Sequence, residues 1–510
     1  MKDNITSVLD PFDQNLYDIE TERVKADAFY QNVTIPYISV KPKAHVFDSA
    51  GFADIPKTIF RFTIKNAELS TDGLISAVRR KEKLKFSNIL FPDIAVTVYQ
   101  NPVGQDMGDN QDTTLIQGVV IQNLDLHIKE FLHVPLYDTT FTLLTFSNTS
   151  AKGEFSATFP EGDSLPKLDF KDQIVSANDL LFQNFDDIYN LSVDSFYYDN
   201  QRSQLDLKGI NVKPRFDNDE VISKIQWQTD IIRTRISSLS FYPFSLADVI
   251  NQKQLFLDHI DIKGGIIDVF RDRTLPFDTL KRPPMPVERI MNAPLTLKLD
   301  TISIENIDVV YTELPENAEE AGEVPFRNLK ADLFNMTNQR QAIQSDSLMR
   351  IEAEAFVFGS ALLKAGFVYD LTSDRGVYNA NGSLSDFDMD IINPAVFPLT
   401  GLKILSGDHR ETSFSYQGDN DHTTGQVKMV YQNLEINLLP GKSDFISNTA
   451  NWAGKKLVYY AENPQNGEEL RIGEIDFERD KTRFVFHYWW KSYYSGIKDT
   501  AMRGNIIMGN

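Results

Sequence analysis

The chain has 510 residues, with Lys+Arg 51 against Asp+Glu 72, a formal net charge of -21 and no cysteine. A hydrophobic fraction of 42%, with 35 phenylalanines, can build a large core and excludes wholesale disorder. The lack of cysteine excludes a disulfide scaffold, a thiolate metal centre and a cysteine nucleophile, and the acidic balance argues against nucleic acid as a partner.

No run approaches the 18 or so apolar residues of a membrane-spanning helix, and the start, Met1-Lys2-Asp3, lacks the apolar core of a signal peptide. The expectation is either a cytosolic protein or the C-terminal portion of a longer chain whose targeting segment lies elsewhere.

Residues 1–50 read as a segment leading into a sheet, and 51–275 as the first run of strands. Alternation with a period of two dominates. A motif of two alternating apolar positions, a small residue and a flipped apolar pair recurs. Its copies run through Phe62, Ile64, Asn66 and Ala67; Leu191, Val193, Ser195 and Phe196; Ile260, Ile262, Gly264 and Gly265; and Ile302, Ile304, Asn306 and Ile307. A parity flip of this kind requires one extra residue in a strand, and Asn, Ser or Gly tolerates the bulge. A second motif centres on Asn88, Asn123, Gly209, Asn328 and Asn433. Asn66 and Asn88 repeat the spacing of Asn306 and Asn328, which suggests two copies of one β unit.

The polar stretches Asn101 to Thr114 and Glu313 to Glu323 read as exposed loops. Residues 276–294, rich in proline, read as a connector, because proline cannot donate to a ladder. Residues 295–440 form the second run: Leu297 and Leu299 alternate with Lys298 and Asp300, and Ile351, Ala353 and Ala355 with Glu352 and Glu354. Residues 441–510 read as a helical, aromatic cap. A helix is expected over Ser443 to Lys456. A clearer one covers Phe484 to Lys498, with Trp490, Tyr493, Tyr494 and Ile497 on one face. The fold class is therefore mainly β: a long antiparallel meander of amphipathic strands with short turns, few helices and an aromatic C-terminal helix.

Catalytic signatures are weak. Gly162-Asp163-Ser164-Leu165 spells an esterase signature but sits in a Pro-Glu-Gly loop, with no Asp-x-x-His late in the chain. The sequence has no nucleophile elbow and no Gly-rich phosphate loop. No histidine pair has metal-ligand spacing, and His409 and His422, beside acidic residues, read as hairpin-tip residues. No enzyme activity, cofactor or metal is expected.

Many two-faced strands with few helices leave an apolar face to hide. The sheet can close on itself, pack on a second sheet, or curl into a trough for an apolar ligand. A trough could hold phospholipid acyl chains while head groups stay in water. Strand parity would place Phe62, Ile64, Val193, Ile260, Ile262, Leu297, Leu299, Ile302, Ile304, Leu434 and Ile436 along it. Trp489, Trp490, Tyr493 and Tyr494 either cap the trough or touch a membrane interface or an envelope protein.

The run Leu297 to Glu313, followed by Gly322 to Leu329, Asn381-Gly382-Ser383-Leu384, Ile392-Asn393-Pro394, Ile404 to Gly407, Gln426 to Ile436 and Tyr488 to Gly496, resembles the bacterial AsmA-like family, particularly its Bacteroidota branch. The likeness is best over 290–500 and weaker over 50–275. It implies a repeating β-groove protein of the periplasm, held to the inner membrane by an N-terminal helix that these residues do not include. It further implies phospholipid carriage toward the outer membrane, without catalytic residues. The competing expectations are a β-rich envelope scaffold acting through protein contacts and a glycan-binding β-repeat protein.

Overall fold

A computed structural model describes residues 16–27, 32–48, 52–53, 55–71, 84–103, 118–137, 143–158, 167–185, 188–316, 320–438 and 459–502. The chain is mainly β, 62% strand and 15% helix, and its strands make a mostly antiparallel meander that does not close on itself. It divides into two compact units, Met1–Asn211 with Ser240–Gln254, and Val212–Leu239 with Leu255–Asn510. The division falls upstream of the Pro-rich stretch 276–294, which lies within the second unit.

The first unit holds β1 (Tyr17–Thr21), β2 (Lys25–Asp27), β3 (Asn32–Pro42), β4 (Thr58–Thr71) and β5 (Leu84–Gln100). It continues through β6 (Gly118–Pro135), β7 (Leu144–Thr158), β8 (Lys167–Phe185), β9 (Tyr189–Asp199) and the greater part of β10 (Gln204–Pro214), up to Asn211. Neighbouring strands pair antiparallel except β5 and β6, which run parallel. The expectation of a purely antiparallel meander fails there. Residues 101–117 join the two strands, and at roughly 3.3 Å per residue they can return the chain along the whole of β5. Asn101, expected in an exposed loop, is buried, and its side-chain amide donates to the Phe52 carbonyl at 2.7 Å. Most of the remainder of that loop lies outside the described residues.

The second unit holds α1 (Asn218–Lys224), β11 (Asp230–Tyr242), β12 (Gln254–Asp272), α2 (Pro286–Met291), β13 (Thr296–Leu314), β14 (Gly322–Thr337) and α3 (Arg340–Ser345). These are followed by β15 (Leu348–Val357), β16 (Ala361–Asp370), β17 (Tyr378–Leu384), β18 (Phe387–Asp388), α4 (Asn393–Thr400), β19 (Leu402–Gly418), β20 (His422–Leu438), β21 (Ile472–Glu478) and α5 (Val485–Ala501). Glu313 and Glu323, expected in a loop, are strand residues. The expected helix over Ser443 to Lys456 and the Gly162–Leu165 signature lie outside the described residues.

Six of the recurring small residues take left-handed backbone; Ser195 does not, and β8 and β9 pair through it without a register shift. Asn66, Asn306, Asn328 and Asn433 adopt φ of 54°, 57°, 52° and 57°, and Gly209 and Gly264 adopt 61° and 66°. Asparagine and glycine visit this left-handed region at the lowest cost. The β13–β14 register shifts on either side of Ile307, and the β14–β15 register shifts between Arg327 and Lys330. Such bulges bend the strand and increase its twist.

Each unit has a buried apolar core. In the first, Tyr17, Val40, Val46, Ile59, Tyr99 and Val134 gather at one end of β3–β6. In the second, Met349, Tyr369, Tyr378, Tyr416, Val427 and Tyr488 form the centre of a larger cluster.

Candidate functional site

Strand register sets which apolar residues share a face, because directly paired residues point to the same side of a sheet. In the first unit, Val40 pairs with Phe62, Phe62 with Val96, Val96 with Phe131 and Phe131 with Phe146. The Phe131 and Phe146 rings stack at 4.5 Å. The adjacent row is Ile38, Ile64, Ile94 and Ile128. Phe62 and Ile64 therefore belong to two parallel apolar rows crossing four or more strands. Val193 faces Leu180 and is buried.

In the second unit, a single row runs Ile302, Leu333, Ile351, Phe367, Ala380 and Tyr416, and continues through Gly425 to Ile475. The next row runs Ile304, Ala331, Ala353, Ala365, Gly382 and Phe414, and continues through Val427 to Gly473. The opposite face is charged. Ser303 pairs with Asp332 and Asp332 with Glu352, and Glu354 lies 3.9 Å from Lys330 and 3.8 Å from Lys364.

Burial changes along the first of these rows. Ile302, Leu333, Ile351 and Phe367 are half-buried, whereas Ala380, Tyr416 and Ile475 are buried. The cause is α5, which lies over β16 to β21 on the apolar side. Trp489 stacks on Phe367 with centroids 4.3 Å apart, and the Tyr493 ring meets Phe414 at 5.0 Å. The small helix residue Gly496 lies against Val427 and Ile475, and Gly473 lies beneath the Gly496 carbonyl. Ser492 and Thr500 donate back to the carbonyls of Tyr488 and Gly496, each at 2.8 Å, so their hydroxyls are satisfied in the interior. Burial holds the Tyr369, Tyr378, Tyr416 and Tyr488 phenols above their usual range.

The sequence pattern set Trp490, Tyr493, Tyr494 and Ile497 on one face of α5; the buried stripe is Tyr488, Ser492, Gly496 and Thr500, with Tyr493 and Ile497 packed against the core beside it. Close approach to strand glycines selects small residues at the contact and moves the large rings to its flanks. Trp489 and Tyr493 consequently pack inward and Tyr494 is half-buried. Trp490 is 55% exposed and Phe486 72% exposed. Of the four aromatics expected at a membrane or partner surface, Trp490 faces solvent most fully.

The other expected trough positions divide in two. Leu299 faces Met336 and is buried, and Leu297 and Ile262 are half-buried. Ile260 is buried. Leu434 is buried in the core cluster, and Ile436 is half-buried and packs against it. Missed by sequence reasoning were Leu333, Ala331 and Phe367, which complete the rows; only register could assign them.

His409 is not a hairpin-tip residue. It is buried, stacked on Phe387 at 4.4 Å, with Nδ1 2.9 Å from the Ser385 carbonyl and Nε2 2.7 Å from Thr412 Oγ1. Burial lowers it to about 4. His422 is 2.6 Å from Asp476 at the surface. Among the described residues, no group of three His, Asp or Glu side chains is placed to hold a metal ion, and no helix is long and apolar enough to cross a membrane. No protein-family model matches the chain, and no curated protein matches it either.

Proposed function

We propose that this chain is a cell-envelope protein that holds phospholipid acyl chains against the apolar face of its sheet and conducts them between membranes, without catalysis. The observation that carries the reading is the row Ile302, Leu333 and Ile351. These three apolar side chains are aligned by register and half-buried on a sheet that does not close, and the row passes under α5 only from Phe367 onward. The rows of Phe62 and Ile64 give the first unit a similar face. An acyl chain that buries a dozen or so methylenes on such a face gains on the order of 10 kcal/mol. The bulged asparagines and glycines support curvature of the sheet about that face. A periplasmic location rests on the resemblance to AsmA-like proteins. Organic extraction of the purified chain, followed by mass spectrometry, tests the reading: bound phospholipid supports it, and lipid-free protein that takes up no labelled phospholipid overturns it.

A further inference from the structure

The outer side of α5 is aromatic where a surface helix is expected to be polar. Its inner stripe, Tyr488, Ser492, Gly496 and Thr500, is taken up by packing on the strands. Phe486 and Trp490 lie four residues apart, hence on one ridge, and both are exposed. Half-buried Tyr494 continues that ridge, its ring 5.8 Å from the Trp490 ring. The patch widens at the start of the helix. Phe484 is exposed, and the Lys281 ammonium lies 5.2 Å over its ring. The Arg483 guanidinium lies 3.6 Å over the Phe277 ring, a second tie between the same loop and the same helix start. These two contacts set the loop of Leu280, which is 86% exposed, beside the exposed rings.

The border of the patch is basic. Arg282 donates to the Thr279 and Lys281 carbonyls at 2.7 and 2.8 Å, and neither Lys281 nor Arg282 pairs with a carboxylate among the described residues. On the helix, the Lys491 ammonium stands 6.0 Å from the Tyr494 ring. The acids beside the patch are engaged: Asp480 lies 3.7 Å from Arg483, and Asp278 accepts from the Leu280 amide at 2.9 Å. A net charge of -21 opposes approach to an anionic surface, so attraction has to come from such a local basic border, within a Debye length of about 8 Å. The interface of an anionic bilayer matches each part of this surface. Tryptophan and tyrosine favour the headgroup boundary, phenylalanine and leucine the acyl region below it, and lysine and arginine the lipid phosphates. The rings stand on the outside of a helix rather than in a groove, so they can enter a soft bilayer without a matching cavity.

We propose that Leu280, Phe484, Phe486 and Trp490, bordered by Lys281 and Arg282, dock on the interface of an anionic lipid bilayer, with α5 lying along the membrane plane. The surface stands apart from the acyl-chain reading, since it needs no ligand on the sheet.

The test is flotation of the full chain with phosphatidylcholine vesicles, with and without phosphatidylglycerol. Wild-type protein should float with the phosphatidylglycerol vesicles, less so as salt rises. Phe486→Ser combined with Trp490→Ser should lower the partition coefficient roughly tenfold or more. Lys281→Gln combined with Arg282→Gln should bring binding down toward that of the uncharged vesicles. Ile302→Asp combined with Ile351→Asp, which alters the apolar row and not the patch, should float as the wild type does. Wild-type protein that does not float overturns the proposal, and so does a serine variant that floats equally well while the row variant does not. Self-association of the wild type that the serine changes abolish, without vesicle binding, assigns the patch to a second copy and overturns it too. Should the serine variant unfold, the absence of cysteine allows Phe486→Cys to carry a single environment-sensitive dye. A blue shift of that dye on phosphatidylglycerol vesicles supports the docking surface, and unchanged emission overturns it.

Discussion

A single methyl group at Gly473 probes how α5 is held. A Cβ there would fall inside van der Waals contact of the Gly496 carbonyl and the Thr500 hydroxyl, both on α5. The carbonyl is helix backbone and cannot rotate aside, so α5 has to lift by an ångström or more. Overpacking of this kind costs about 1–3 kcal/mol, and the rigid obstacle places Gly473→Ala toward the upper end. The lift also loosens the stack of Trp489 on Phe367. Gly467 is the control. Nothing lies within 4 Å of its Cβ position, and only its φ of +80° opposes a side chain, so Gly467→Ala costs roughly 1 kcal/mol in backbone strain alone. Urea denaturation gives the stability, and hydrogen exchange over residues 485–501 reports the seating of the helix. Gly473→Ala should lower the midpoint more than Gly467→Ala does, and it alone should speed exchange in α5. Wild-type stability with a protected α5 in Gly473→Ala would refute the close packing of helix on strand.

Asn306→Ala should cost about 1 kcal/mol because alanine resists the φ of 57° there, whereas Asn306→Gly should stay near wild type; paired urea midpoints check this. Glu354→Ala removes two partly exposed ion pairs, with Lys330 and Lys364, and should shift stability by less than about 1 kcal/mol by the same assay. His409 sits at about 4 in the fold against the usual 6.5, so the unfolded chain binds its proton more readily between those values. Stability is full above pH 6.5 and falls toward pH 4, with His409 contributing a loss on the order of 3 kcal/mol, and His409→Gln should flatten urea midpoints measured from pH 7 to 4.5.

The alternation of Ile351, Ala353 and Ala355 with Glu352 and Glu354 was enough to assign two-faced strands, because a period of two has no other economical reading. The parity flip at Asn306 likewise located a bulge and that at Gly264 a left-handed residue, whereas at Ser195 β8 and β9 pair without a register shift. The parallel pairing of β5 with β6 was not legible: local pattern is the same in either direction, and only the length of residues 101–117 permitted it. The seating of α5 was not legible, because the pattern marked one aromatic face without showing what that face meets. The helix approaches Gly473 so closely that glycine, serine and threonine occupy the contact instead. The trough positions were half legible. Parity identified Ile302 and Ile304, but Leu434 shares that parity and sits in the closed core, since what covers a face is decided by elements distant in sequence.

The most direct measurement is native mass spectrometry of the purified chain beside a variant carrying Ile302→Asp and Ile351→Asp, both on one apolar row. Wild-type protein is expected to carry phospholipid mass that the variant, still folded by circular dichroism, has lost. A wild type free of lipid, or a folded variant that binds it equally well, would contradict the claim that this row receives acyl chains.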